Sequence, residues 1–366
     1  MKIIYVIKKG LQYFPPCLAQ ILCLNDLNVK MVVYHGKNTP QIDSILDQRG
    51  IEHYTFKADK QSKNRFDMMK NYLQIRKEIR CLQKKLNYDD FLWLGNAETA
   101  IAMEPKDLRK RKYLLSVLEL YDEGSYVEKN LSKIIKDARL VIACEKHRAM
   151  IMYGRYNLKE IPFVIPNKPY EFGETFELDE QLNEKINQYK DKFIVVYQGI
   201  VRKDRPLDKM AEALKMLNDS NVCFFVLGKA QPGLESEIKK IYPQSVFWGF
   251  VPSPLHLSIT AKCHVGIANY DMSCLNNIFC APNKTYEYSK YGLPLLVSPN
   301  AGLAETVGVA GAAECVDFND VNQIENGLKR IMKSYEKYSD NAKKFYNSTN
   351  LNELYENVLA KIKENI

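Results

Sequence analysis

The chain has 366 residues, with 52 Lys and Arg against 44 Asp and Glu, a formal charge of +8, and 46% hydrophobic and 26% charged residues. That length suggests about two domains, and the composition is ordinary for a globular protein, so each half can bury a core. The charge suits phosphate-bearing ligands or an anionic membrane surface and is too small to indicate a nucleic-acid partner.

Nine dispersed cysteines, with no C-x-x-C and no zinc spacing, read as reduced thiols of a cytoplasmic protein. Met1 to Ile7 is apolar for too few residues to be a signal peptide, and Lys8-Lys9 interrupts it. No run approaches the roughly 20 apolar residues of a spanning helix. The expectation is a soluble protein, or one peripheral on the inner face of a membrane.

Lys2 to Ile7 predicts a buried strand, Cys17 to Leu27 a helix, and Lys30 to Tyr34 a second strand ending at His35-Gly36. Strand, helix, strand from the start argues for a parallel α/β sheet. Gly10 sits in the first strand-to-helix loop without a G-x-G-x-x-G, which argues against a dinucleotide-binding dehydrogenase. Arg65 to Leu86 is a long amphipathic helix carrying Lys70, Arg76, Lys77, Arg80, Lys84 and Lys85, and Lys106 to Lys112 adds a second basic run. Each run alone reads as a solvated face; together they suit docking on an anionic bilayer.

Asp90 to Leu94 is a strand ending in Gly95-Asn96-Ala97-Glu98. Tyr113 to Leu120 is a strand delivering Glu119 and Asp122 to its carboxyl end, and Arg139 to Ala143 leads to Glu145 and His147. Strand ends of a doubly wound sheet gather at one crevice, so Gly10, Asn96, Glu98, Glu119, Asp122, Glu145 and His147 are the acceptor-side candidates. Phe163 to Asn167 is the last strand of this half. Tyr170 to Lys192, polar and acidic, holds the interdomain connection.

Phe193 to Tyr197 restarts the alternation. Gln198 to Arg205 is a cationic glycine turn containing Gly199, Arg202, Lys203 and Arg205, and Pro206 to Leu217 is a helix. Such a loop entering a helix amino terminus suits phosphate. Val222 to Leu227 with Gly228-Lys229, and Val246 to Trp248 with Phe250-Val251, are the next strand-loop units, followed by a helix over Pro254 to Lys262. His264 to Asn269 is a strand ending at Tyr270; His256 and His264 have no metal-ligand company and read as structural.

Ala281 to Val307 is the most informative stretch. Pro282-Asn283 opens a short helix that places Lys284 and Glu287 on one face, Gly292 ends it, and Leu293 to Val297 is a buried strand. A lysine meets phosphate as a point charge, and a carboxylate accepts from two sugar hydroxyls. Glu314 to Phe318 is a last short strand, with helices over Asn322 to Tyr335 and Leu351 to Ile366.

Pro282-Asn283-Lys284, Glu287-Tyr288 and Gly292-Leu293-Pro294 resemble the signature of family 4-like glycosyltransferases of the GT-B fold, of the bacterial surface-polysaccharide type. The resemblance covers the second half well and the first in outline. It implies two Rossmann-like doubly wound domains facing each other across a cleft: 1–169 for the acceptor, 170–345 for the nucleotide sugar, and a closing helix over 346–366 that packs back on the first. Lys284 then approaches the donor diphosphate and Glu287 the ribose. A basic residue of the 198–205 loop, Arg205 best with Arg202 and Lys203 as rivals, binds donor phosphate. Gly199, Gly228, Lys229, Phe250, Val251, Tyr270 and Asn283 complete the donor side, with Asn283 or the Asn300 to Leu303 loop near the sugar or phosphate. Many members carry a second, upstream glutamate where this chain has Phe279, a departure that bears on the donor sugar more than on the fold.

The implied activity moves a hexosyl group from a UDP- or GDP-sugar to a glycan or lipid-linked glycan in capsule, O-antigen or exopolysaccharide assembly. With no D-x-D pair, no metal and no cofactor beyond the nucleotide sugar is required. A retaining front-face reaction, with Lys284 and Arg205 as the catalytic cations, needs no side-chain base; an inverting one would call on Glu119, Asp122 or Glu145. A nucleotide-sugar 2-epimerase of the same fold would need carboxylates and a histidine around the donor, and no such set stands near Glu287 in the sequence. A non-catalytic sugar-nucleotide-binding subunit has only the absent glutamate in its favour.

Overall fold

The first strands come from short runs of apolar residues bounded by turns, buried on both faces as parallel strands are. The computed structural model describes residues 2–58, 65–173, 176–202 and 207–364. Two units emerge: Met1–Tyr170 together with Asn350–Ile366, and Glu171–Thr349.

In the first unit β1 (Ile3–Val6), α1 (Pro15–Asp26), β2 (Met31–His35), α2 (Pro40–Gln48), β3 (Glu52–Thr55) and α3 (Arg65–Lys85) lead to β4 (Phe91–Leu94). Then come α4 (Ala97–Ala100), α5 (Pro105–Leu108), β5 (Tyr113–Val117), α6 (Tyr126–Leu131), β6 (Leu140–Ala143), α7 (Lys146–Tyr156) and β7 (Phe163–Val164). The strands form one parallel sheet in the order β3-β2-β1-β4-β5-β6-β7.

The second unit opens with α8 (Glu180–Asn187), β8 (Phe193–Gln198), α9 (Leu207–Leu217), β9 (Val222–Leu227), α10 (Leu234–Ile241) and β10 (Ser245–Gly249). It continues through α11 (His256–Thr260), β11 (Val265–Ala268), α12 (Leu275–Ile278), α13 (Asn283–Lys290), β12 (Leu295–Val297), α14 (Ala301–Leu303) and β13 (Ala313–Cys315). Helices α15 (Val321–Lys333) and α16 (Tyr335–Asn347) complete it, and α17 (Leu351–Glu364) returns to the first unit. Its sheet, also parallel, runs β10-β9-β8-β11-β12-β13. Both units are therefore α/β and Rossmann-like. In each, the chain leaves the first strand toward one edge and returns on its other side, so a topological switch point lies between β1 and β4 and another between β8 and β11.

Apolar clusters cover both faces of the second sheet: Tyr197, Met210, Phe224 and Leu328 belong to one, Val196, Phe225, Tyr288 and Leu295 to the other. Helix α17 lies on α1, burying Leu351, Tyr355, Val358 and Ile362.

Some sequence expectations need correction. The 170–192 segment is more than a connection: α8 is capped by Asp179 Oδ1, which accepts from the Leu182 amide at 2.8 Å, and it buries Ile186. The basic run over 106–112 is not simply solvated. Arg111 is buried, bonds Asp107 at 2.9 Å and donates to the carbonyls of Gln83, Leu86 and Asn87, which satisfies the open carboxyl end of α3. Arg80 of α3, still about a third exposed, pairs with Glu104 at 3.0 Å. Edge strand β3 and helices α2 and α16 were not anticipated.

Candidate functional site

At the second switch point the chain must turn sharply off β8 and β9, and two glycines allow it. Gly199 has φ +130° and Gly228 φ +152°, and a β-carbon on Gly228 would lie 1.9 Å from the Gly199 carbonyl oxygen. The two loops run side by side: the Gly199 amide donates to Leu227 O at 2.8 Å and the Val201 amide to Lys229 O at 2.9 Å.

Lys284 reaches this point from the first turn of α13. Its Nζ is buried, 4.6 Å from the centroid of Tyr197 and 5.3 Å from that of Tyr270, and a β-carbon on Gly199 would come within 3.1 Å of it. Two aromatic faces flank the ammonium as cation–π partners. Glu287, also buried, sits one turn further along α13. The helix is fixed by Tyr288, whose hydroxyl accepts from the Gln198 amide at 3.1 Å and lies 3.3 Å from Ile267 O, so one side chain ties α13 to both strands of the switch point. Gly266 makes room for it, since a β-carbon there would stand 2.2 Å from the Tyr288 ring.

His256 was missed. Its Nε2 lies 3.3 Å from Glu287 Oε2 with both side chains largely buried. It precedes Glu287 by 31 residues, and no motif links the two; only the packing of α11 on α13 brings them together. His264, by contrast, is structural: Nδ1 accepts from the Ile194 amide at 3.0 Å, and the ring packs on Phe193.

The ends of these strands and the start of α11 carry buried polar atoms left without partners among the described residues. Gln198 Oε1, Asn269 Nδ2, Asn300 Oδ1 and His256 Nδ1 are buried and have no hydrogen-bond partner among the described residues. Asn300 donates to the carbonyls of Asp271 (3.0 Å) and Asn277 (2.9 Å), which ties the loop after β12 to the one after β11. Buried polar groups normally find partners, so such a cluster at strand ends is what a site for a polar ligand provides. The Tyr270 amide bonds Ser298 Oγ at 2.9 Å, Asn283 is half-buried at the start of α13, and Phe279 is half-buried beyond α12. Arg202, Lys229 and Phe250 are exposed and Val251 half-buried, with Lys229 Nζ 5.8 Å from the centroid of the Phe250 ring. Lys203 and Arg205 lie outside the described residues.

In the first unit, Glu98 of α4 meets Lys8 at 2.8 Å, bridging the ends of β4 and β1 at the switch point, and Lys8 Nζ lies 5.5 Å from the centroid of the Tyr72 ring. Asn96 caps α4 through Oδ1, which accepts from the Thr99 amide at 2.8 Å, while its buried Nδ2 has no partner among the described residues. Gly10 is needed for close approach, because a β-carbon there would lie 2.2 Å from Lys37 O. Strand β5 ends at Val117, so Glu119 falls in the following loop and not on the strand as the sequence suggested. Although Glu119 is exposed, the protein packed around it raises its carboxyl pKa, Glu98 adds to the rise, and Arg148 opposes it. Asp122 is exposed in a turn that its carbonyl closes onto Ser125. Glu145 caps α7, accepting from the Arg148 amide at 2.9 Å, and its other oxygen meets His147 at 2.7 Å.

No family model matches the chain, and no curated protein sequence does. Solved structures do. Anabaena HepE in complex with UDP and glucose is similar with TM-score 0.70 at 13% identity, over 99% of both chains. A glycosyltransferase from Rickettsia africae follows at 0.66 and 15%, over 100% of this chain and 98% of that one. A UDP-N-acetylglucosamine 2-epimerase assignment from Listeria monocytogenes stands at 0.67 and 11%, over 99% and 95%. At these identities the likeness establishes the fold: two Rossmann-like units of the GT-B type.

Proposed function

We propose that the chain is a glycosyltransferase that takes a sugar from a nucleoside diphosphate donor, with the donor held at the β8/β11 switch point. The observation that carries this reading is the buried Lys284 ammonium between Tyr197 and Tyr270, one helical turn before the buried carboxylate of Glu287. Lys284 would stabilise the departing diphosphate and Glu287 would accept from the ribose hydroxyls, with Arg205, or its rivals Arg202 and Lys203, as a second cation. Fixed cations in a partly dry site stabilise charge that develops on the leaving group, usually the largest catalytic term. That chemistry needs no bound metal or cofactor and suits a retaining course in which the leaving phosphate takes the acceptor proton. The UDP in the Anabaena structure makes a uridine nucleotide the first donor to try.

Gly10, Asn96, Glu98, Glu119, Asp122 and Glu145 remain the proposed acceptor side. The acceptor we infer is a glycan or lipid-linked glycan at the cytoplasmic face of a membrane, in surface-polysaccharide assembly. Its support is α3, which exposes Phe66, Met68, Met69 and Leu73 among Lys70, Lys77 and Lys84. Among the described residues no helix is long and apolar enough to cross a membrane. Sedimentation with anionic liposomes at low salt, lost at high salt, is the expected behaviour; failure to sediment at low salt removes the membrane from this reading.

A second reading gains from His256. A 2-epimerase needs a histidine and carboxylates around the donor, and His256 against Glu287 supplies one of each. Incubation with a panel of nucleotide sugars, with and without glycolipid, separates the two. Acceptor-dependent release of nucleoside diphosphate is expected for transfer, an isomerised nucleotide sugar for epimerisation, and binding without turnover for a non-catalytic subunit. In the transferase, Lys284→Ala should lower turnover by about 100-fold or more. Near-normal turnover in that variant would overturn the mechanism.

A further inference from the structure

At the edge of the first sheet, His35 ends β2 and His53 lies on β3 in register with Val33, which puts both imidazoles on one face of the sheet. His35 is fully buried, and its Nδ1 stands 2.6 Å from Gly36 O. A carbonyl only accepts, so Nδ1 carries the proton and Nε2 presents a lone pair. His53 Nε2 stands 3.1 Å from Asp47 Oδ1. A carboxylate also only accepts, so the proton is on Nε2 and the lone pair on Nδ1. The other two nitrogens, His35 Nε2 and His53 Nδ1, stand 2.9 Å apart, with ring centroids 5.1 Å apart and ring planes inclined at 28°.

Two lone pairs at that distance repel unless a cation lies with them. A carboxylate is close by. Asp43, in the first turn of α2, has an oxygen within 4.8 Å of a nitrogen of each histidine. Asn38 orients it: the amide donates to Asp43 Oδ1 at 2.9 Å, and its own oxygen accepts from the Leu11 amide at 2.8 Å, which fixes which way the amide faces. Asn38 Nδ2 is also 3.4 Å from His35 Nε2, too long to satisfy that nitrogen well.

We propose that His35 Nε2, His53 Nδ1 and a carboxylate oxygen of Asp43 form a binding site for a divalent metal ion of the zinc class, with water as the fourth ligand. Two imidazoles and one carboxylate are a donor set zinc accepts, and each imidazole already has the acceptor on its far nitrogen that metal-bound histidines usually have: Gly36 O for one and Asp47 for the other. The metal would clamp β2, β3 and α2 together. Through Asn38 and the Leu11 amide it would also set the loop after β1 that holds Gly10.

The test uses the full-length protein stripped with a chelator and titrated with zinc chloride by calorimetry, with cobalt(II) as a spectroscopic probe. The expected result is one equivalent bound, a higher melting temperature, and a cobalt spectrum without a thiolate charge-transfer band. His53→Gln and Asp43→Asn, both at half-buried positions, should abolish or weaken binding at least about tenfold, and Asp47→Asn should weaken it about 10-fold through the far nitrogen of His53. No saturable uptake would mean that a proton alone joins the two rings and would overturn the proposal. Uptake unchanged in His53→Gln, or a thiolate band, would place the metal elsewhere and overturn it equally.

Discussion

Glu287 offers a carboxylate that is almost wholly buried, and the group beside it is the imidazole of His256. In the transferase reading the imidazole orients the carboxylate toward the ribose and takes no part in bond breaking. His256→Gln should then raise the KM for the nucleotide sugar with little change in kcat, because ground state and transition state lose the same contact. Glu287→Gln removes a charged acceptor, worth about 1.5–3 kcal/mol, so the KM should rise by about ten- to a hundredfold. Steady-state kinetics of both variants check this, and a collapse of kcat in His256→Gln would favour the epimerase reading. At the same scale, the lysine and the glutamate were legible because three residues of one helix fix their relation. The histidine was not, because sequence carries no record of which loops fold together.

The strands of the two sheets were legible as buried apolar runs, and most of their ends agree with the alternation of turn residues. Edge strand β3 was not, because its residues are mostly exposed and its one partner, β2, leaves a face that needs no apolar pattern. Helix α16 escaped for a related reason: Tyr335–Asn347 carries three Lys, two Asn, one Asp and one Glu and buries only Ser339, Ala342 and Tyr346. The central strand β8 gives a prediction at this scale. His264 accepts from the Ile194 amide on β8, which requires a neutral imidazole, and burial lowers its pKa. Above pH about 6.5, where an unfolded histidine is also neutral, its contribution is complete. As the pH falls through 6.5 toward the lower folded value, the unfolded chain takes up the proton first and stability drops. Denaturant melts between pH 7.5 and 5 should show that loss, and His264→Gln, which retains an acceptor, should flatten it. An equal slope in that variant would assign the loss to other groups.

At the level of the whole molecule, the last helix belongs to the unit the chain left at Tyr170. Leu351, Tyr355, Val358 and Ile362 recur at helical spacing on one face of α17, and all four are buried. Tyr355 is wholly enclosed, with its ring 6.2 Å from that of Trp93, which itself bonds Gln20 of α1 at 3.1 Å. Lys361 adds a half-exposed ion pair with Glu160 at 2.5 Å, worth little by comparison. Burying each of the four apolar side chains contributes about 1.5–3 kcal/mol, so their sum is comparable to the 5–15 kcal/mol net stability of a typical domain. Ending the chain at Thr349 should therefore unfold or severely loosen the first unit while leaving the second with its own core. Hydrogen exchange provides the measurement: amides of α1, β1 and β4 should lose protection, and those of β8, β9 and β11 should keep it. If β1 and β4 stayed protected without the helix, its burial would not be what holds that sheet, and the first unit would have to draw its stability from the core that its remaining helices cover.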